Sequence, residues 1–302
     1  MAKLIQFLLL AAGTLLLFGC NNDPEPLLIE GEEPEIITGD YQFTEGPYWH
    51  PDGFLIFSDI PANTVYRWSE DSGADVFLEP SGNSNGIQAD LDGNIILAQH
   101  QGSVSKLDQD GELTVLVDNY EGNRLNSPND IAVHSNGNIY FTDPPFGVDE
   151  EDREIDFSGV YKLSPVGELT LIYDELALPN GLVFSSDESQ FFLNDSETGD
   201  ILIFQVGQDG MPNSPQLFAN VGEMSSMGGA DGMVTDLRGN LFTTGPNGLT
   251  IFNQDGEQLH LIEFDEQITN LEWGGEDLNE LFITGSDNVY RLLTNTIGNK
   301  KR

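Results

Sequence analysis

Short runs of alternating apolar and polar residues dominate the chain beyond residue 40. The runs are separated by Asp-Gly and Asn-Gly pairs, such as Asp52-Gly53, Asp92-Gly93 and Asn136-Gly137. Alternation with a period of two is typical of half-buried strands, and these pairs favour the tight turns of β-hairpins. Helical periodicity is almost absent from this region, so the pattern predicts an all-β protein.

The strand pairs form a repeat. Each copy opens with a polar residue, passes through a short alternating strand, turns, and enters a second strand. The residues that open the copies, called the opening residues below, are spaced by 40, 44, 51, 51 and 39 positions and are Glu45, Asn85, Asn129, Asn180, Asp231 and Asn270. A unit of this length with several strands is typical of β-propellers. The sequence therefore predicts a six-bladed β-propeller over residues 37–295.

Each of the six opening residues can offer an oxygen atom, and none is apolar. Equivalent positions on successive blades lie on one ring around the propeller axis, so these side chains are expected to face one another in the central channel. Buried carboxylates need a partner, which a cation on the axis would supply. The sequence therefore predicts a central metal-binding channel, although a purely structural ion would use the same ligands.

Carboxylate and amide oxygens favour calcium as the ion. The ring contains no cysteine or histidine, which disfavours zinc and copper, whereas magnesium, manganese and iron(II) remain alternatives.

Four stretches together resemble the gluconolactonase branch of the senescence-marker-protein family: "FTEGPYWHPDGFLIFSDIPANTVYRW", "NRLNSPNDIAVHSNGNIYFTDPPFG", "LPNGLVFSSDESQFFLNDS" and "ADGMVTDLRGNLFTTGPNG". The resemblance spans about residues 40 to 293 and implies a six-bladed propeller that hydrolyses sugar lactones with a divalent metal. It also implies that the metal ligands are the Glu of EGP, the Asn of PND, the Asn of PNG and the Asp of DGM. In this sequence these are Glu45, Asn129, Asn180 and Asp231.

The same resemblance implies roles for these residues. The metal would polarise the lactone carbonyl and lower the pKa of a bound water, and a carboxylate would accept a proton as the water attacks. Asp231 is the candidate base, while Glu45 mainly supplies charge. Asn129 and Asn180 orient the metal and the substrate.

Three further residues are candidates for substrate binding. Asn85 belongs to the ring of opening residues, and His100 ends the hairpin of the second blade. His100 is a candidate for substrate contact or proton transfer, with a surface histidine as the alternative. Arg124 is the nearest cation to the PND motif and would hold a substrate hydroxyl or pair with the acidic surface.

One departure from the family affects substrate recognition. Members of the family often carry arginines just after the position of His100, where this chain has Ser103 and Ser105. Recognition of a sugar acid is therefore an open question.

Asp143 and Asp195 share the second-strand register with Asp59. We interpret them as residues that support the ligands or stabilise the blades. The acidic loop over residues 146–159 is a candidate lid over the channel, or else a solvated loop.

The N-terminal segment differs from the rest of the chain. "MAKLIQFLLLAAGTLLLFGC" has one Lys, no acid and a long apolar run, which predicts a lipoprotein signal peptide over residues 1–19. Cys20, the only cysteine, would be lipidated, and residues 20–36 would form a flexible tether before the propeller. Since Asn21 and Asn22 lack the aspartate that resembles an inner-membrane retention signal, we expect an exported bacterial lipoprotein of the outer membrane, on its periplasmic face or at the cell surface. A basic tail over 296–302 would end the chain.

Composition limits the range of partners. The chain has 51 acidic and 11 basic residues, and its net charge is −40. Such a surface repels nucleic acid and anionic lipid, so neither is expected as a partner. Contact with the membrane is expected only through the lipidated N-terminus. Six closed blades need no partner for stability, so a monomer that binds a small lactone is expected.

Three alternative functions remain at this stage. A calcium-binding propeller without catalytic activity would serve as a sensor or scaffold at the cell surface. The same metal site could instead hydrolyse esters or phosphotriesters. Finally, "GNSNG" contains Ser84 in a G-x-S-x-G pattern, but that motif needs a strand, a sharp turn and a helix, and a strand follows here.

Overall fold

The computed structural model describes residues 26–300, and all its regular structure apart from one turn of 3-10 helix at Glu150–Asp152 is β-strand. The strands in chain order are β1 (Glu35–Gly39), β2 (Thr44–His50), β3 (Phe54–Asp59), β4 (Thr64–Ser69), β5 (Gly73–Leu78), β6 (Ser84–Ala89), β7 (Ile95–Gln99), β8 (Ser103–Leu107), β9 (Leu113–Val117), β10 (Asn119–Tyr120), β11 (Asn123–Arg124), β12 (Ile131–Val133), β13 (Ile139–Asp143), β14 (Gly159–Leu163), β15 (Leu169–Tyr173), β16 (Pro179–Phe184), β17 (Gln190–Asp195), β18 (Asp200–Val206), β19 (Pro212–Asn220), β20 (Met233–Thr235), β21 (Leu241–Gly245), β22 (Gly248–Phe252), β23 (Gln258–Ile262), β24 (Ile268–Gly274), β25 (Glu280–Gly285) and β26 (Asn288–Leu293).

These strands form six four-stranded antiparallel sheets, which we number as blades. Blades 1 to 5 are β2–β5, β6–β9, β12–β15, β16–β19 and β20–β23, while β10 and β11 form a separate hairpin. Blade 6 consists of β24, β25, β26 and β1, with β1 as its outermost strand. The predicted six-bladed β-propeller is therefore confirmed.

The innermost strands β2, β6, β12, β16, β20 and β24 line the axis, and each contacts the next, with β24 against β2. The ring closes because β1 pairs with β26, from Glu35 opposite Arg291 to Gly39 opposite Asn288. A single sheet thus contains both the first and the last strand of the propeller.

Apolar side chains fill the spaces between the faces of neighbouring blades. Between blades 5 and 6, the ring of Trp273 packs edge-on against Phe242, and both side chains are fully buried. Between blades 6 and 1, Trp49 stacks on Phe282 at a centroid distance of 5.0 Å. Successive side chains of a strand point to opposite faces of the blade. Alternate residues of one strand therefore pack against the two neighbouring blades, which explains the period of two in the sequence.

The segments on either side of the propeller pack against it where the structure describes them. Leu27, within the predicted tether, is buried in the core between blades 5 and 6, and Leu28 bridges to Thr294. In the predicted tail, Gly298 N donates to the carbonyl of Leu278. The predicted signal peptide and Cys20 lie outside the described residues. Over residues 26–300, no helix has the length and apolar character to cross a bilayer.

Candidate functional site

All six opening residues lie at the innermost edge of their blades and are buried, with at most 7% of the surface of any of them exposed. Four lie within the inner strands, and Asn129 and Asp231 lie two residues before β12 and β20. Their backbone N–H groups donate to the carbonyls of Thr142 and Thr244, so the second strands of their own blades hold these two residues as well. The structure thus brings together the predicted ring around the axis.

Glycine follows the opening residue in four of the six repeats, and the reason is close approach between blades. A β-carbon on Gly46 would lie 1.9 Å from the carbonyl oxygen of Asn85 in the next blade. A β-carbon on Gly181 would lie 2.1 Å from the carbonyl oxygen of Asp231. Only glycine lets the inner strands converge this closely, so the Glu-Gly, Asn-Gly and Asp-Gly pairs set the width of the ring.

Side chains of the second strands hold the opening residues of the following blades. Ser58 Oγ donates to the carbonyl of Asn85 at 2.9 Å, and Thr142 Oγ1 donates to that of Asn180 at 2.9 Å. Asn194 Nδ2 does the same for Asp231. Each bond crosses between two blades, and therefore fixes the backbone of a ring residue to the second strand of the preceding blade.

Glu45 and Asp231 form the charged part of the ring. Burial raises the pKa of both carboxyls, and each is also raised by a neighbouring carboxylate. Asp130, which directly follows Asn129, adds a third buried carboxyl, and burial raises its pKa to about 6. Asp130 accepts hydrogen bonds from the N–H groups of Ile131 and Leu182, whereas Asp231 Oδ1 has no partner. Two adjacent buried carboxylates are costly unless positive charge compensates them.

Four oxygen atoms of the ring are buried and lack any hydrogen-bond partner, and they are the Oδ1 atoms of Asn85, Asn129, Asn180 and Asp231. Buried polar atoms in native proteins are almost always paired, so four unpartnered oxygens around one axis indicate a ligand-binding site. Carboxylate and amide oxygens are the hard donors that calcium and similar ions prefer. The residues therefore fit a divalent cation. Among the described residues no group of three His, Cys, Asp or Glu side chains could hold one, so amides would complete the donor set.

Asn270 differs from the other opening residues. Its Oδ1 accepts the N–H of Leu271 at 2.8 Å, and its Nδ2 donates to Glu45 Oε2 at 3.0 Å. Asn270 thus differs from the four residues with unpartnered oxygens, because its Oδ1 already has a partner in its own backbone. Its role is to hold the carboxylate of Glu45.

A recurring aspartate holds the segment that leads into three of the ring residues. Asp59 accepts the N–H groups of Gln42 and Phe43, Asp143 accepts that of Asn126, and Asp195 accepts that of Ala177 at 2.9 Å. In each case a bonded residue lies three positions before Glu45, Asn129 or Asn180. Each aspartate ends the second strand of its own blade. Asp143 and Asp195 are thus placed to fix the entry of the chain into the ring, and burial raises the pKa of Asp143 to about 7.

Replacing Asp195 with Asn is expected to weaken divalent-cation binding by about 10- to 100-fold, as is typical for residues that orient ligands. Asp195 accepts backbone N–H groups of Ala177 and Glu197, and an amide can serve only one of these without offering an N–H to the other. Calorimetric titration of the metal-free protein with Ca²⁺ measures the effect.

Asp108→Asn is the matched control for this prediction. Asp108 also accepts two backbone N–H groups, those of Asp110 and Glu112, but in a turn outside the ring-bearing segments. Equal affinities for the two variants would show that Asp195 has no particular role in positioning Asn180.

Cavities lie at two places along the channel. One of about 660 Å³ is lined by Ile60, Asn83, His100, Gln101, Arg124, Phe146 and Gly147. His100 links this cavity to the ring, because Asn85 Nδ2 lies 3.2 Å from His100 Nε2. Burial lowers the pKa of His100 to about 4, so its ring is neutral and can accept from the amide. Arg124 is fixed at the wall by Nη1, which donates to the carbonyls of Leu125 and Asn126.

The other cavity, of about 980 Å³, is lined on the far side of the ring by residues that follow the opening positions, including Gly46, Asp130 and Leu271. Lys300 lies at its wall, where Nζ donates to Glu272 Oε2 at 2.7 Å and sits 4.0 Å from the ring centroid of Tyr48. The pairing of Glu272 with Lys300 was not predicted, because the two residues are 28 positions apart and Lys300 belongs to no repeat motif.

The acidic loop over 146–159 packs against the protein. Ile155 is buried in the core between blades 2 and 3, and Glu154 Oε2 accepts the N–H of Arg124 at 2.7 Å. Phe146 and Gly147 form part of the wall of the cavity that contains His100. The loop therefore shapes that cavity.

The serines considered in the sequence have structural contacts. Ser103 and Ser105 both donate to Gln99 Oε1, and Gln99 occupies the position that an aspartate takes in blades 1, 3 and 4. Ser84 is fully buried at the start of β6, with Ser58 Oγ at 3.1 Å, and no helix follows it. The nucleophile-elbow geometry that a serine hydrolase needs is not formed there.

Comparison with known proteins identifies relatives over most of the chain. Residues 43–287 match the model of the SMP-30/gluconolactonase/LRE-like region. A gluconolactonase of Zymomonas mobilis is 39% identical over 292 residues, covering 87% of this chain and 82% of that protein. A pentonolactonase of Haloferax volcanii is 24% identical, covering 80% of each chain.

Among solved structures, a Xanthomonas campestris gluconolactonase superposes with a TM-score of 0.77 at 30% identity, covering 89% of this chain and 97% of that one. A calcium-binding regucalcin from Agrobacterium tumefaciens, 18% identical, has the same fold with a TM-score of 0.74, covering 88% and 95%. With its propeller, its ring of oxygen donors and a family match over most of its length, the chain belongs to the SMP-30/gluconolactonase/LRE-like family.

Proposed function

We propose that the protein hydrolyses a lactone, with a sugar lactone such as gluconolactone as the first candidate, and that the reaction depends on a divalent cation in the central channel. The observation that carries the proposal is the set of unpartnered oxygen atoms buried around the axis. The names of the Zymomonas and Xanthomonas relatives supply the substrate class. Calcium is the preferred ion, since the ring offers hard oxygen donors alone.

Glu45, Asn129, Asn180 and Asp231 would hold the cation. When bound, a divalent cation supplies the positive charge that polarises a carbonyl oxygen and favours ionisation of water. It would also relieve the mutual repulsion of the two buried carboxylates. Asn180 is oriented for this role, because its Nδ2 donates to Ser196 Oγ. Its Oδ1 has no partner in the protein and would bind the cation.

Asp231 would act as the general base. A water oxygen bonds to the lactone carbonyl carbon, and its proton passes to Asp231. The bond between that carbon and the ring oxygen then breaks, and the proton passes to the departing alkoxide, giving the open-chain hydroxy acid. Burial and the neighbouring carboxylates raise the pKa of Asp231, whereas coordination of the cation would lower it again, so its basicity would be damped.

The substrate would enter from the cavity that contains His100. Arg124, fixed through Nη1, would direct its other N–H groups at substrate oxygens. With Nε2 of the neutral ring accepting from Asn85, the Nδ1–H of His100 would donate a hydrogen bond to a substrate hydroxyl. The apolar ring of Phe146 and the polar groups around it suit a small polyhydroxylated ring.

The proposal also places the enzyme outside the cytoplasm. The signal-peptide pattern of residues 1–19 and the position of Cys20 support an outer-membrane lipoprotein.

Metal removal tests the proposal. Hydrolysis of glucono-1,5-lactone by the full chain in detergent is measured by acid release, with the spontaneous rate subtracted, before and after EDTA. We expect activity to be lost with EDTA and restored by Ca²⁺, Mg²⁺, Mn²⁺, Zn²⁺ or Fe²⁺, whichever is native. Hydrolysis that survives EDTA would disprove the metal dependence. A protein that binds Ca²⁺ but hydrolyses neither this lactone nor other lactones would instead be a binding propeller.

A further inference from the structure

Asn85 and Asn180 are held by the same device in two different blades. Asn180 Nδ2 donates to Ser196 Oγ at 3.0 Å, and Asn85 Nδ2 lies 3.2 Å from His100 Nε2. Ser196 directly follows the last residue of β17, and His100 directly follows the last residue of β7, so the two acceptors occupy equivalent positions. In both cases the amide nitrogen is engaged, and the amide oxygen is buried and unpartnered.

We propose that Asn85 is a fifth protein ligand of the channel cation, through Oδ1, and that His100 positions it. The inference rests on the proposed function, because it assumes that a divalent cation is bound in the ring. It differs from the sequence-based interpretation, in which Asn85 binds substrate. The nitrogen of the Asn85 amide faces the neutral ring of His100. Its oxygen, on the opposite side of the amide, would then face the channel.

The backbone around Asn85 places it within the ring. The carbonyl oxygen of Asn85 lies in the space that a side chain on Gly46, next to Glu45, would need. On its other side, Gly86 N donates to the carbonyl of Asn129 at 2.8 Å. Asn85 therefore sits between two residues that carry candidate ligands, at the same level of its blade.

The number of donors also favours a fifth ligand. Calcium takes six to eight oxygens, and Glu45, Asn129, Asn180 and Asp231 supply four if each gives one. Asn270 is a weaker candidate than Asn85, since its Oδ1 already accepts the N–H of Leu271. Among the opening residues, Asn85 is thus the remaining one with an unpartnered oxygen. Five protein oxygens leave positions for water and for a substrate oxygen.

Calcium affinity tests the inference independently of turnover. The full chain in detergent is stripped of metal and titrated calorimetrically with Ca²⁺. Asn85→Ala is expected to weaken binding by about tenfold or more, because an oxygen donor is lost. Asn85→Asp is expected to bind at least as tightly as the wild type, because it retains the oxygen and adds charge. His100→Leu, which removes the acceptor for Nδ2, is expected to weaken binding by about tenfold.

Asn94→Ala is the matched control. Asn94 belongs to the same blade, and its Nδ2 also donates to a side chain, Asp90 Oδ2 at 2.8 Å, but it lies in the turn between β6 and β7. Its calcium affinity is expected to match the wild type. Near-ultraviolet circular dichroism checks that each variant is folded, and Asn85→Asp provides the test if Asn85→Ala does not fold.

The outcomes separate the two levels of inference. If the wild type binds no divalent cation, the metal dependence of the proposed function fails. If the wild type binds Ca²⁺ and Asn85→Ala binds it within twofold of Asn94→Ala, only the assignment of Asn85 is overturned. A change confined to the KM for a lactone would return Asn85 to a substrate-binding role. Unchanged affinity in His100→Leu would overturn the positioning role of His100.

Discussion

Asp231→Asn is expected to lower the rate of lactone hydrolysis by about 10²- to 10⁴-fold, the range associated with loss of a general base. The substitution keeps an oxygen at the position but removes both the negative charge and the basic site. Asp231 is buried, and its Oδ1 has no hydrogen-bond partner in the protein, so the lost oxygen charge would act directly on the channel. Steady-state kinetics with glucono-1,5-lactone at saturating metal measure the loss.

Asp236→Asn is a suitable control, since it replaces another buried aspartate of the same blade. Asp236 accepts the N–H groups of Arg238 and Asn240 in a turn, and is bonded to Thr296. We expect it to lower stability while the turnover of the folded fraction stays close to that of the wild type. If Asp231→Asn retained more than about a tenth of the wild-type rate, Asp231 would be a metal ligand only, and the base would have to be sought elsewhere.

Trp273→Ala is expected to lower the free energy of unfolding by about 3–5 kcal/mol, the range for truncating a large buried aromatic side chain. Trp273 is fully buried between blades 5 and 6, packs edge-on against Phe242, and donates from Nε1 to the carbonyl of Thr235 at 2.9 Å. The C-terminal segment also rests on it, since a β-carbon on Gly298 would lie 1.9 Å from its ring. The variant therefore loses an inter-blade contact and a buried hydrogen bond together.

Denaturant titration followed by circular dichroism measures this effect. Val166→Ala, at a position that is 89% exposed, is the control and is expected to change stability by less than about 0.5 kcal/mol. A loss below about 1.5 kcal/mol in Trp273→Ala would mean that neighbouring side chains collapse into the space, and that the contact between blades 5 and 6 does not depend on this ring.

The repeat in the sequence was sufficient to predict the fold and the ring, because a propeller places equivalent residues of each copy at the same level around one axis. The orientation of individual amides was not predictable. Asn270 and Asn180 have the same residue type and the same position in their repeats, yet one turns its oxygen to the backbone and the other leaves it unpartnered. The difference arises from their neighbours, Glu45 in one case and Ser196 in the other.

Contacts between residues outside the repeat could not be predicted either. The ion pair between Lys300 and Glu272 joins the C-terminal segment to an inner strand, and no periodic pattern relates the two positions. The aspartates at the ends of the second strands were recognised by register, but their partners are backbone N–H groups, which carry no signal in the sequence. Leu27 was assigned to a tether from the Pro- and Glu-rich composition around it, whereas its own side chain is buried in the core.

The sharing of blade 6 between β1 and β24–β26 has a consequence for how the chain is made. A ribosome releases β1 first, but the sheet that accepts β1 emerges only after five other blades. During that interval, the first strand has no partner, and the edge of the last blade has none until the two meet. Closure of the ring is therefore a late and non-local event, a kind of contact that forms slowly in folding chains. Until β26 has been synthesised, β1 must stay unpaired and must not form a sheet with any other strand.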